Sequence, residues 1–184
     1  KVAVPMTVAA ALVFLWHVKI ARPLVIFLPA RDNSHGFNLA DREVCRSLLA
    51  DVEQASAEAF SGKPIIGGDE MAGTEEPSIN PANVAEVVGL CHLAEEQHVD
   101  NALNLAVKGQ VAWDRMGADR RADVLNRAAD LFESHHAELL SLCVREGGKT
   151  IPDSIAELRE AVDFFRYYSV QAQRHFGEPL VMPG

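Results

Sequence analysis

The run Glu146-Gly147-Gly148-Lys149-Thr150 carries residue types that could bind a phosphate. A phosphate loop of that kind needs a glycine five positions before the one preceding its lysine, and it must leave a strand and open a helix. Here Cys143 occupies that position and the preceding segment has helical periodicity, so the run reads as a helix stop and restart. Cys143 is a poor nucleophile, because it lies on the apolar side of LLSLCVRE, where burial raises a thiol pKa. Cys45 in a helix and Cys91 in a strand read as packing residues in the same way. His135, His136 and Glu138 cluster in sequence, but neighbouring histidines point about 100° apart on a helix and the H-E-x-x-H spacing is absent, so no metal site is expected. Glu157, Glu160 and Asp163 recur three apart, with Arg159 and Arg166 nearby. They form either a solvated face with local ion pairs or a set in which a carboxylate faces a substrate channel; spacing leaves both readings open.

The elements that must position these groups belong to a chain of 184 residues, 48% hydrophobic, with a net charge of -9. That length and composition suit one core, with an appended arm. An acidic chain without a Lys/Arg cluster argues against nucleic acid as a partner. Three cysteines with no C-x-x-C support neither a disulfide scaffold nor a zinc site, and point to a reducing compartment, hence the cytoplasm. Both ends read as cut from a longer chain: the first residue is Lys1, and Pro183-Gly184 follows an apolar run directly. Residues 2–18, VAVPMTVAAALVFLWHV, are apolar throughout. They read as a membrane or targeting segment, interrupted by Pro5, Thr7 and His17, or as a segment buried against further sequence.

Residues 23–29 suggest a short buried strand, and Arg31 to Gly36 a polar turn. Asn38 or Asp41 caps a helix from Arg42 to Phe60 that carries Val44, Leu48, Leu49 and Val52 inward, and residues 61–64 stop it. Residues 61–83 are turn-rich, with extended pieces at Ile65-Ile66 and Ser78-Ile79; Gly67-Gly68 does not make a dinucleotide-binding glycine pattern. Asn80 to Asn83 is a turn and 84–94 a strand, which together suggest a hairpin or an extended arm. A helix from Gln97 or His98 presents Val99, Leu103, Ala106 and Val107, with Trp113 beyond its end. Asp119 caps the next helix, whose inward stripe is Leu125, Ala128, Ala129 and Phe132 and which His135-His136 ends. A third helix spans 137–146, and Gly147-Gly148 terminates it. The last begins near Pro152 and runs to about His175. It bears two apolar stripes, Ile155/Leu158/Val162/Phe165 and Ala161/Phe164/Tyr168, which predict contact on two sides.

Trp113, Arg121-Ala122, Leu125, Ala128-Ala129-Asp130-Leu131, Leu139 and Glu146-x-Gly148-Lys149 resemble the N-terminal helices of the aldehyde dehydrogenase superfamily. The run from Ala156 to Tyr168, AELREAVDFFRYY, resembles the glutamate-semialdehyde (pyrroline-5-carboxylate) dehydrogenase module of bifunctional proline utilization A proteins. Arg31 to Leu39 is similar to the stretch leading into that module, so the resemblance covers about residues 17–184. Residues 1–16 do not resemble that linker, and Gly147 stands where many relatives have Ala or Thr. The resemblance implies an α/β fold, of which this mostly helical stretch with a few short strands is the N-terminal portion. It divides the chain into an apolar segment and linker, 1–36, and a truncated dehydrogenase-like domain, 37–184.

The implied function is NAD-dependent oxidation of L-glutamate γ-semialdehyde to glutamate in proline catabolism. In that chemistry a cysteine thiolate attacks the aldehyde, hydride passes to NAD and a Glu-activated water releases the acid. FAD belongs to a separate proline dehydrogenase domain of such bifunctional proteins. The family's oxyanion-hole Asn, cofactor-binding strands, general-base Glu and nucleophilic Cys would follow Gly184, so this stretch is expected to be inactive alone, with no catalytic, cofactor-binding or metal residue of its own. One carry-over remains: Glu160 falls where the semialdehyde dehydrogenases place a Glu at the substrate channel. The implied partners are the remainder of the parent chain, a small-molecule substrate and further copies in a homo-oligomer. A rival from another class is a non-catalytic helical interaction module, tethered to a membrane by residues 2–18. A second is a truncated pseudoenzyme that assembles through the arm at 61–94.

Overall fold

A computed structural model describes residue 27 and residues 30–178. The apolar segment 2–18 lies outside them. So does the strand expected at 23–29, apart from Phe27, which sits in a turn whose carbonyl accepts from the Ala30 N–H at 2.9 Å.

Among the described residues, five helices and two small sheets follow in order. Helix α1 spans Arg42–Ser56, and Asp41 caps it by accepting from the N–H groups of Glu43 and Val44. Strands β1 (Phe60–Gly62), β2 (Ile65–Ile66), β3 (Asp69–Glu70), β4 (Thr74–Ile79) and β5 (Val87–Leu93) follow. Then come α2 (Glu96–Arg115), α3 (Ala118–Ser134), α4 (His136–Arg145) and α5 (Ile151–Phe176). One sheet has the order β1-β5-β4, with β1 parallel and β4 antiparallel to the central β5; β2 and β3 form a separate antiparallel pair. The content is thus mixed, mostly helical with short strands, as expected for an α/β portion.

The hairpin expected from Asn80-Pro81-Ala82-Asn83 is β4–β5, and β4 extends back to Thr74. It contains Pro77, whose missing N–H is tolerated because β4 lies at the sheet edge. Helix α1 does not reach Phe60. It ends at Ser56, whose Oγ donates to the Val52 carbonyl at 2.7 Å, and the backbone of Phe60 to Gly62 pairs with Gly89 to Cys91 of β5. A partner distant in sequence thus claims residues whose local pattern suits a helix. Trp113 likewise lies inside α2, since nothing between it and Gly117 stops the helix. Nor does Asp119 cap α3. Gly117 does so at φ 83°, a conformation that favours glycine, while Asp119 sits in the first turn.

The main core joins Leu48 and Val52 of α1, Leu140 of α4, and Ile155 and Leu158 of α5, with Phe37, Leu39, Phe132, Leu139 and Ile151 packed around them. Helices α3 and α5 lie along one another. Ala122 and Ala129 of α3 and Val162 of α5 are fully buried, and Phe132 meets Phe165 edge-on at 5.0 Å. Small side chains on α3 allow this close approach. The second apolar stripe of α5 departs from expectation: Phe164 and Tyr168 stack on each other at 6.1 Å, but both remain exposed.

Candidate functional site on the fifth helix

Helix α5 starts where the glycine pair stops α4. Gly148 takes φ 64°, and the Lys149 N–H returns to the Cys143 carbonyl at 3.2 Å. The remaining residues of this run serve the helix ends. Lys149 pairs with Glu157, one to two turns into α5. Thr150 Oγ1 accepts from the Asp153 N–H at 3.3 Å and donates to Asp153 Oδ2 at 2.7 Å. Lysine and threonine are therefore engaged in starting α5. Cys143 is half-buried, and burial raises its thiol pKa, which opposes thiolate formation.

The histidine pair has a similar fate. His135 Nδ1 lies 2.9 Å from the Leu131 carbonyl, and His136 Nδ1 lies 3.0 Å from that of Glu133. The His136 ring rests against Phe37 with centroids 5.1 Å apart. Among the described residues no group of three His, Cys, Asp or Glu side chains is placed to hold a metal ion.

The charged residues of α5 divide into engaged and open groups. Asp163 accepts from the Ser34 N–H at 2.7 Å and from the Ser34 hydroxyl at 3.1 Å, and lies 3.6 Å from Arg31 Nη1. Arg166 Nη2 donates to Glu133 Oε2 at 2.7 Å and to Asp130 at 3.2 Å, and Nη1 donates to the Asn33 carbonyl at 3.2 Å. Glu133 also accepts from the N–H of His35 at 2.7 Å. Burial pushes the Glu133 carboxyl up, but the hydrogen bonds from Arg166 and His35 outweigh it and hold the group below its ordinary value. Burial opposes the Arg166 charge, and Glu133 overcomes that too, raising its pKa. Of the four carboxylates on α5, Asp153, Glu157 and Asp163 have partners, while Glu160 is exposed and has no hydrogen bond or ion pair among the described residues.

Local spacing had grouped Glu157, Glu160 and Asp163, yet the structure separates their roles. It also brings in Ser34, Arg31, Glu133 and Asp130, which sequence reasoning had not connected with α5. The available signal was the pair Asp130 and Glu133, three apart on α3 and able to face one arginine on a neighbouring helix.

A dinucleotide needs a glycine-rich turn between a strand and a helix. Gly67 and Gly68, at φ 67° and 98°, close the β2–β3 pair and do not form such a turn. No helix among them is long and apolar enough to cross a membrane.

Comparison with known proteins gives a consistent placement. The bifunctional protein PutA of Escherichia coli K12 is 36% identical over 167 residues, 91% of this chain and 13% of that protein. The 1-pyrroline-5-carboxylate dehydrogenase of Geobacillus thermodenitrificans is 35% identical over 128 residues, 68% of this chain and 25% of that enzyme. The crystal structure of a Thermus 1-pyrroline-5-carboxylate dehydrogenase with bound NAD superposes with a TM-score of 0.74 at 27% identity, over 83% of this chain and 30% of that one. The chain thus spans a minor part of the length of each relative. The profile of the aldehyde dehydrogenase family matches residues 69–183, and with the helical frame described above this shows that the chain belongs to the aldehyde dehydrogenase family.

Proposed function

We propose that the chain is the N-terminal part of an NAD-dependent dehydrogenase module that oxidises L-glutamate γ-semialdehyde to glutamate. The observation that carries this reading is the 36% identity to a bifunctional PutA across 91% of the chain, joined by similarity to free-standing 1-pyrroline-5-carboxylate dehydrogenases. The NAD-bound Thermus neighbour supports the cofactor. In this reading α3, α4 and α5 are scaffold, and the reacting groups and dinucleotide site come from other sequence of the parent protein. Glu160 contributes to the substrate channel. An exposed carboxylate without an internal partner suits the ammonium group of an amino-acid semialdehyde. The homo-oligomeric assembly implied by the family belongs to the same reading, and light scattering of the full-length protein checks it.

The test expresses the full reading frame that carries this segment, and separately the 184 residues, and follows NADH formation with glutamate semialdehyde and with simple aliphatic aldehydes. The expected result is turnover by the full-length protein, selective for the semialdehyde, and none by the 184 residues. NADH formation by the short chain, or a full-length protein indifferent to the substrate's amino-acid end, overturns the proposal.

A further inference from the structure

Residues 31–36 come from far upstream and are held on α5 by side chains instead of a backbone ladder. Ser34 is 0% exposed, and one carboxylate, Asp163, takes both its N–H and its hydroxyl proton. The hydroxyl oxygen in turn accepts from Arg159 Nε at 3.3 Å. Arg31 approaches the same carboxylate at 3.6 Å. Asp163 therefore organises two guanidinium groups, Arg31 directly and Arg159 through Ser34. Glu160 sits three positions before Asp163, a spacing that places side chains about 5–6 Å apart at Cβ on one helix face. It is also the carboxylate of α5 closest to Asp163 in sequence.

We propose that Asp163 is a positioning residue for Glu160. By seating Ser34 and Arg31, and Arg159 on Ser34, it keeps both guanidinium groups away from Glu160 and leaves that carboxylate open to the cationic end of an amino-acid substrate. The inference rests on the reading of Glu160 as substrate-facing. Without the Asp163 charge, Arg31 and Arg159 lose their organising anion and compete with the substrate for Glu160.

The experiment uses the full-length protein and four variants: D163N, S34A, E160Q and D163N/E160Q. D163N is expected to raise KM for glutamate semialdehyde about tenfold with kcat within about twofold, as loss of one charge-assisted contact in binding would do. S34A shifts KM in the same direction by less, and decides the question if D163N does not fold. Amide exchange at Ser34 speeds up in D163N. E160Q alone raises KM, and adding D163N to E160Q raises it no further, because the two changes act on one contact. Multiplying KM effects, or an unchanged KM in D163N, overturn the positioning role. An unchanged KM in E160Q overturns the reading of Glu160 itself and this inference with it, and Ser34 exchange then still reports whether Asp163 holds the turn.

Discussion

Helices α2 and α3 follow one another across Gly117, yet α3 buries Ala118, Ala122 and Ala129, and α2 buries no residue at all. The apolar side chains of α2 are the larger ones: Val99 is 53% exposed, Leu103 61% and Val107 75%. An apolar stripe at helical spacing therefore states a capacity for burial, and a partner must realise it. α3 has that partner in α5, reinforced at its end by Glu133 and Arg166. α2 packs on β2, with Leu105 beside Gly67, and its Asp114 lies 4.0 Å from Arg121 of α3, so most of its apolar stripe stays exposed among the described residues. The same contrast runs along α5, where Leu158 and Val162 are buried and Phe164 and Tyr168 are not.

The contrast can be pressed by substitution, with urea unfolding of the 184-residue chain as the common measurement. Leu140 is fully buried between α1 and α5, and Leu140→Ala is expected to cost about 3 kcal/mol. A cost under about 1 kcal/mol would show that this core is as loosely partnered as α2. Glu133→Gln leaves Arg166, with its side chain only 12% exposed, with the more exposed Asp130 as its one remaining carboxylate partner among the described residues and is expected to cost about 2 kcal/mol near neutral pH. Because the folded Glu133 carboxyl lies below its ordinary value, its stabilisation is present above the unfolded carboxyl's range. It fades as pH falls through the depressed folded value. The gap between the natural chain and the Gln variant should therefore close in acid, and a gap that stays constant with pH would locate the loss in packing.

Thr150→Ala removes the α5 cap and is expected to cost about 1 kcal/mol, read as a lower denaturation midpoint with an unchanged slope. Leu103→Ala is the smallest, under about 0.5 kcal/mol in this chain, despite removing as much side chain as Leu140→Ala. Repeating it in the full-length protein sharpens the comparison: a cost that rises there identifies α2 as a helix whose partner lies elsewhere in the protein.

Several features were legible without a structure because their causes are local. The Asp41 cap, the glycine stop at Gly148, the α5 start near Pro152 and the Asn80–Asn83 turn each depend on contacts within a few residues. The family resemblance was legible for the same reason, since its motifs lie on continuous helices that superpose on solved relatives. The misread end of α1 has a non-local cause, since Phe60 pairs with Gly89 of β5 instead of extending the helix. The α2–α3 boundary is local but was placed on the wrong residue: Gly117, at φ 83°, caps α3 in place of Asp119.

The amino-acid sequence by itself determined the locally capped helix ends at Asp41 and Gly148, which stripes are apolar, that Gly148-Lys149-Thr150 is no phosphate loop, and the family. Tertiary structure alone decided which stripes are covered and which charges are engaged. Asp163, Glu157 and Glu160 look equivalent at three-residue spacing. They differ because Ser34, 129 positions away from Asp163, and Lys149 bring donors to two of them and none to the third. Helical periodicity orients a side chain, but its partner depends on how distant segments pack.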